Sequence, residues 1–156
     1  MRARCHFALV AAGAMALVAL GVPQAGVAAE PGSRAAIDQA AAVNTELALA
    51  YMREGNLKAA REKIDKALQQ DARTATTQMA AGFVYDKLGD KKKALSHFEQ
   101  AVRLGGKDNP DVVANAAVYF CMNGEPKRGE QYMLQAAASP LNARPDVAYT
   151  NAGRCA

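Results

Sequence analysis

Apolar and small residues return along this chain with a helical period, in paired segments separated by short polar breaks. Ala48 and Tyr51 stand three apart, Gly55 follows, and Ala60, Ile64 and Ala67 then continue at spacings of four and three. Side chains three and four apart share one face of an α-helix, so the block reads as two amphipathic helices joined at a glycine. The same order recurs 34 positions later as Gly82, Tyr85, Gly89, Ala94, Phe98 and Ala101. It returns 35 positions after that as Ala117, Phe120, Gly124, Gly129, Met133 and Ala136. The pattern predicts helices over 37–54, 57–70, 75–88, 91–104, 111–123 and 127–138, with a further one starting at Asp146.

The residue types have a packing logic. Two antiparallel helices approach closely only where side chains are small, so Ala48 with Ala60, Gly82 with Ala94, and Ala117 with Gly129 mark the contact inside each pair. Ile64, Phe98 and Met133 are then the bulky residues that fill the space between one pair and the next. Gly55, Gly89 and Gly124 suit the left-handed conformation that ends a helix. Asn56 and Asp90 follow as N-cap candidates, and Pro126 stands at a first helical position in the third copy. Alanine is abundant here, so one match would mean little. Three matches in register, each with the same turn chemistry, set a generic helical bundle aside.

A period of 34 with small, aromatic, small and bulky positions in this order resembles the tetratricopeptide repeat. The resemblance implies an all-α, right-handed solenoid of antiparallel helix pairs, truncated in a fourth repeat. The expected division is a signal peptide at 1–29, a mobile N-terminus and start of the first helix at 30–40, repeats at 41–74 and 75–108, a third repeat with its loop at 109–145, and the first helix of an incomplete fourth at 146–156. Ala152, Gly153, Cys155 and Ala156 give that last helix a small, apolar face where a solenoid normally ends in a polar cap. The expectation is a fragment or truncated product of a longer repeat protein.

The first residues carry a different pattern. Arg2 and Arg4 precede an uncharged apolar run of 16 residues from Phe7 to Val22, and Pro23 onward leads to Val27-Ala28-Ala29. This is the layout of a cleavable secretory signal, and the run is short of the roughly 20 residues that span a bilayer. An uncleaved anchor is the competing reading. The chain has 19 basic and 15 acidic side chains; cleavage removes two arginines and no acid, leaving 17 against 15. That balance argues against a nucleic-acid partner, and Lys91-Lys92-Lys93 reads as a solvated first helical turn. Cys5 would leave with the signal. Cys121 and Cys155 remain, in the first helices of neighbouring repeats, either as a disulfide in an oxidising compartment or as two separate buried thiols.

Catalytic chemistry is sparse. His97, the one histidine after the signal, sits among Lys93, Ser96 and Glu99 and reads as a surface side chain rather than a ligand. Glu62, Asp65, Asp86 and Glu99 have basic neighbours such as Lys58, Arg61, Lys66 and Arg103 and read as solubilising pairs. No enzyme, cofactor or metal site is expected. In a tetratricopeptide stack the first helix of each pair lines the concave surface. That places Thr45, Leu49, Met52 and Arg53, then Met79, Phe83, Asp86 and Lys87, then Ala114, Val118 and Met122 as the candidate protein-binding groove. Leu49, Met52, Met79, Phe83 and Met122 would form an apolar floor for a helix or extended peptide, although such residues also serve as packing between adjacent helices.

Three later segments are more specific: Asn115 to Gly124, Ala138-Ser139-Pro140-Leu141, and Asn151 to Ala156. They resemble corresponding runs in the type IV pilus biogenesis and stability protein family (PilF/PilW). The resemblance implies a periplasmic adaptor at the inner face of the outer membrane whose protein partner is an outer-membrane secretin, which it helps to localise or assemble. It implies no small-molecule substrate, and membrane association only through partners. Members of that family are usually lipoproteins with about six repeats, and here no cysteine follows the apolar run. A general periplasmic scaffold for another envelope complex is the alternative.

Overall fold

The computed structural model describes residues 32–106 and 108–156. The signal segment, its cleavage site and Cys5 lie outside the described residues. Among the described residues there are seven helices and no strand: α1 (Arg34–Arg53), α2 (Leu57–Gln70), α3 (Ala75–Lys87), α4 (Lys91–Gly105), α5 (Pro110–Met122), α6 (Pro126–Ala137) and α7 (Pro145–Cys155).

Each hairpin closes by the same backbone device. Gly55, Gly89 and Gly124 have φ of 79°, 81° and 90°. This left-handed geometry lets the next residue turn back, so the amides of Asn56, Asp90 and Glu125 donate to the carbonyls of Tyr51, Tyr85 and Phe120 at 2.9, 2.9 and 3.0 Å. Asn56 and Asp90 then accept from Ala59 N and Lys93 N, both at 3.1 Å, capping the next helix. In the third hairpin Glu125 makes no side-chain cap, and Pro126 removes one amide that would need one.

The small and bulky positions of the repeat pattern are the core. Ile64, Phe98 and Met133 are buried, as are Ala60, Ala94 and Ala117. Phe98 sits between Phe83, edge-on at 5.1 Å, and Tyr119, stacked at 4.2 Å, which joins the second repeat to the third.

α1 contacts α3, α3 contacts α5, and α5 contacts α7, whereas among the described residues α2, α4 and α6 do not touch one another. Helices that touch form the inside of a curve and helices that fan apart form its outside. The odd-numbered helices therefore line the concave side.

Several boundaries differ from the sequence expectation. The first helix is expected from residue 37, yet α1 begins at Arg34. The Ser33 hydroxyl accepts from Ala36 N at 3.2 Å, and Arg34 pairs with Asp38 at 2.8 Å and Asp71 at 3.4 Å, which holds the first turn. Pro110 and Pro145 begin α5 and α7 rather than preceding them, because proline at the first helical position loses an amide that had no partner there anyway. Val43 and Leu47 on α1 are 50% and 37% exposed, although Thr77 and Ala81, their equivalents one repeat on, are buried against the preceding pair.

Candidate protein-binding face

The concave face is built from α1, α3, α5 and α7, and the expected groove residues divide into three kinds. Thr45 is a correction: it is 3% exposed, its hydroxyl donating to the Ala41 carbonyl at 2.8 Å and lying 3.1 Å from the Thr77 hydroxyl. It joins α1 to α3 instead of offering a free contact. Leu49, Met52, Met79 and Phe83 are half-buried and packed against the core, because neighbouring concave helices lie close enough to share these side chains. Ala114 is likewise half-buried. The open apolar surface is at the other end, where Val118 and Met122 are exposed.

The charged members differ too. Asp86 is paired with Lys91 at 2.5 Å, and that lysine also reaches Asn123 Oδ1 at 3.3 Å across to the end of α5. Arg53 and Lys87, at the C-terminal ends of α1 and α3, are exposed and make no ion pair among the described residues.

Two clefts lie between neighbouring helices of this layer. One, of about 450 Å³, lies between α1 and the start of α3 and is walled by Asp38, Glu46, Asp71 and threonines that include Thr45 and Thr77. The other, of about 300 Å³, lies between α5 and α7 and is lined by Val118, Met122, Met133, Asn151, Arg154 and the two cysteines. Cys121 and Cys155 form a disulfide with Cα atoms 5.4 Å apart, so the reading as two separate thiols falls away. The bond pins α7 to α5 beside the cleft.

His97 is also a correction. It is half-buried, stacked on Tyr85 at 5.3 Å, with Nδ1 2.7 Å from Gln78 Oε1. Gln78 Nε2 donates to the Ala72 carbonyl at 2.6 Å, which leaves Oε1 as acceptor and makes His97 Nδ1 the donor. Burial, helped by Lys93, lowers the His97 pKa. Tyr85 donates to Asp65, and burial together with that carboxylate pushes its phenol up to about 12. Glu99 pairs with Arg128 of α6 at 2.9 Å, and Arg128 stacks 4.3 Å over Phe120 and also meets Glu125 at 2.9 Å. These groups tie repeats together, and none converges on a cleft. Among the described residues no group of three His, Cys, Asp or Glu is placed to hold a metal, and no helix is long and apolar enough to cross a membrane.

Periodicity could not have found Gln78, His97 or the Thr45–Thr77 contact, since each pairs polar side chains of opposite or adjacent helices. The one available signal was polarity at Asn44 and Gln78, in a register that is Val113 in the third repeat.

Comparison with known proteins agrees with this architecture. A tetratricopeptide repeat family model matches residues 39–105. An uncharacterized protein of Haemophilus influenzae is 32% identical over 101 residues, which is 65% of this chain and 56% of that one. Among solved structures, Pseudomonas aeruginosa PilF superposes with a TM-score of 0.68 at 23% identity, covering 76% of this chain and 53% of its own. PilW, described as a widely conserved type IV pilus biogenesis factor, gives a TM-score of 0.66 at 27% identity, covering 75% and 53%. The chain thus spans little more than half the length of the proteins it matches. Tetratricopeptide stacks are protein-interaction scaffolds, with a concave surface as the usual place of contact. The chain carries tetratricopeptide repeats and has a tetratricopeptide solenoid fold, which resembles that of the type IV pilus biogenesis proteins PilF and PilW.

Proposed function

We propose that this protein is a periplasmic adaptor for type IV pilus biogenesis that promotes outer-membrane localisation or assembly of the pilus secretin. The observation that carries the reading is the concave layer of α1, α3, α5 and α7, which has open apolar surface at Val118 and Met122 and unpaired cations at Arg53 and Lys87. Likeness to PilF and PilW supplies the pilus connection. The signal-like segment at 1–29 and the bonded cysteines support an oxidising compartment outside the cytoplasm. The adaptor does its work by binding alone and needs no cofactor.

The test is a deletion strain complemented with the wild-type chain or with Met122→Glu. The expected result is loss of surface pili and of heat-stable secretin multimers on deletion, restored by the wild type and poorly by the variant. Intact pili and multimers in the deletion strain would overturn the pilus assignment and favour a scaffold for another envelope complex.

A further inference from the structure

The cleft between α5 and α7 combines an apolar floor with one uncommitted cation. Met122 is 79% exposed and Val118 39% exposed on α5. Opposite them α7 carries Asn151 and Arg154. Exposed apolar side chains are ordinary when scattered; here the guanidinium beside them makes the site specific. Arg128, one helix away, has two carboxylates and an aromatic ring as partners, whereas Arg154 has no carboxylate in ion-pair range among the described residues. A planar guanidinium at an apolar wall favours a carboxylate brought out of bulk water, through charge-assisted hydrogen bonds.

We propose that this cleft docks an internal acidic and apolar segment of a partner protein. A leucine-like or phenylalanine-like side chain lies on Val118 and Met122, and a neighbouring aspartate or glutamate meets Arg154. The cleft is open to solvent rather than enclosed, which suits a chain passing through. The Cys121–Cys155 bond holds α7 against α5 in the free protein, so docking does not have to order that wall. The inference rests on the concave face being a protein-binding surface and is independent of the pilus assignment.

The experiment measures fluorescence anisotropy with the whole chain, in the processed form the cell delivers. The probe is a labelled peptide with the core Glu-Leu-Phe-Glu, flanked by Gly-Ser, acetylated and amidated. Comparison peptides carry Lys-Leu-Phe-Lys or Glu-Ser-Ser-Glu cores, and a fourth is the acidic peptide with a free C-terminus. The acidic apolar peptide should bind about tenfold tighter than either altered core. Arg154→Glu should remove or invert the preference over the lysine peptide, and Met122→Ser should weaken the apolar peptides alone. Lys58→Glu, the same charge change on the convex helix α2, should leave the ratios unchanged, and circular dichroism confirms that each variant is folded. Unaltered ratios in Arg154→Glu, binding of the free-carboxylate peptide only, or no binding of any peptide at about 1 mM would each overturn the proposal. A pilus-negative deletion strain alongside failed peptide binding, or the converse, separates this inference from the functional assignment.

Discussion

Gly129→Ala should destabilise the protein despite alanine's stronger helix preference. Gly129 is buried on α6 in the register held by Ala60 and Ala94 in the first two repeats. A Cβ built there would lie 2.8 Å from both the Ala117 carbonyl oxygen and the Cys121 amide nitrogen, and would also collide with Cys121 Sγ. Ordinary contact begins at 3.4 Å, so α6 would have to move roughly 0.6 Å away from α5 to clear the two backbone atoms and roughly 1 Å to clear Sγ. Two of the three obstacles are backbone and the third is fixed by a disulfide, so no side chain can swing aside. Overpacking of this kind costs about 1–3 kcal/mol, and the rigid surroundings favour the upper end. Exchanging glycine for alanine inside a helix returns about 1 kcal/mol. The net effect is a loss of about 2 kcal/mol. With a urea dependence near 2 kcal/mol per molar, that lowers the midpoint by about 1 M. Gly153→Ala is the internal control: its Cβ would meet nothing within 4 Å, so the midpoint should rise by a few tenths of a molar. Urea unfolding followed by circular dichroism reads both. An unchanged or raised midpoint in Gly129→Ala would refute the steric reasoning.

The disulfide closes a separation of 34 residues, which in the chain-entropy description contributes about 4 kcal/mol, concentrated at α7. On reduction, amide exchange over residues 145–155 should accelerate while α3 and α4 keep their protection; free thiols in the folded, unreduced protein would refute this. Tyr85→Phe removes the phenol bond to partly exposed Asp65 and should cost about 1 kcal/mol. It should also abolish the tyrosine that ionises near pH 12 in an ultraviolet titration. His97 binds its proton less readily in the folded chain than in the unfolded one, where its pKa is near 6.5. Its contribution is therefore complete above that value and is lost as pH falls below it. Lys93 adds to the penalty and Asp65 and Asp90 offset part of it. The urea midpoint should drop more between about pH 7.5 and pH 5 in the wild type than in His97→Gln; equal drops would count against the assignment.

The repeat was legible because its determinants are local and periodic. A glycine at a left-handed C-terminus, a cap one residue later, and small residues spaced at three and four all act within one hairpin, so Ala48, Gly55 and Ala60 display them in the sequence itself. The groove was less legible. A concave position such as Leu49 or Phe83 is defined by where the next helix pair stands, and that distance is set by side chains 34 residues away. Close approach of α1 to α3 turned Thr45 inward and half-covered Met79. Val118 and Met122 stay open beside Asn151, Arg154 and the bonded Cys155 of α7. His97 was misread for the same reason: its sequence neighbours are charged, while its partners Gln78 and Tyr85 belong to another helix.

The joints between repeats are not alike, and this bears on how the molecule yields. Between the first and second, a single buried hydroxyl contact, Thr45 with Thr77, sits beside an apolar cluster that runs from Ile64 and Ala67 to Ala81 and Val84. Between the second and third the contact is aromatic, through Phe98 and Tyr119. At α7 it is covalent. In a stack whose stability is a sum of repeat and neighbour terms, a hydrogen-bonded contact gains only about 1 kcal/mol, because water competes for the same groups. Buried aromatic contacts remove more apolar area from water and gain more. The first joint, which has no covalent link, should therefore open before the last, which the Cys121–Cys155 bond holds. That ordering leaves the α5–α7 cleft shaped while the first repeat frays, as a docking site that must be in place before its partner arrives requires.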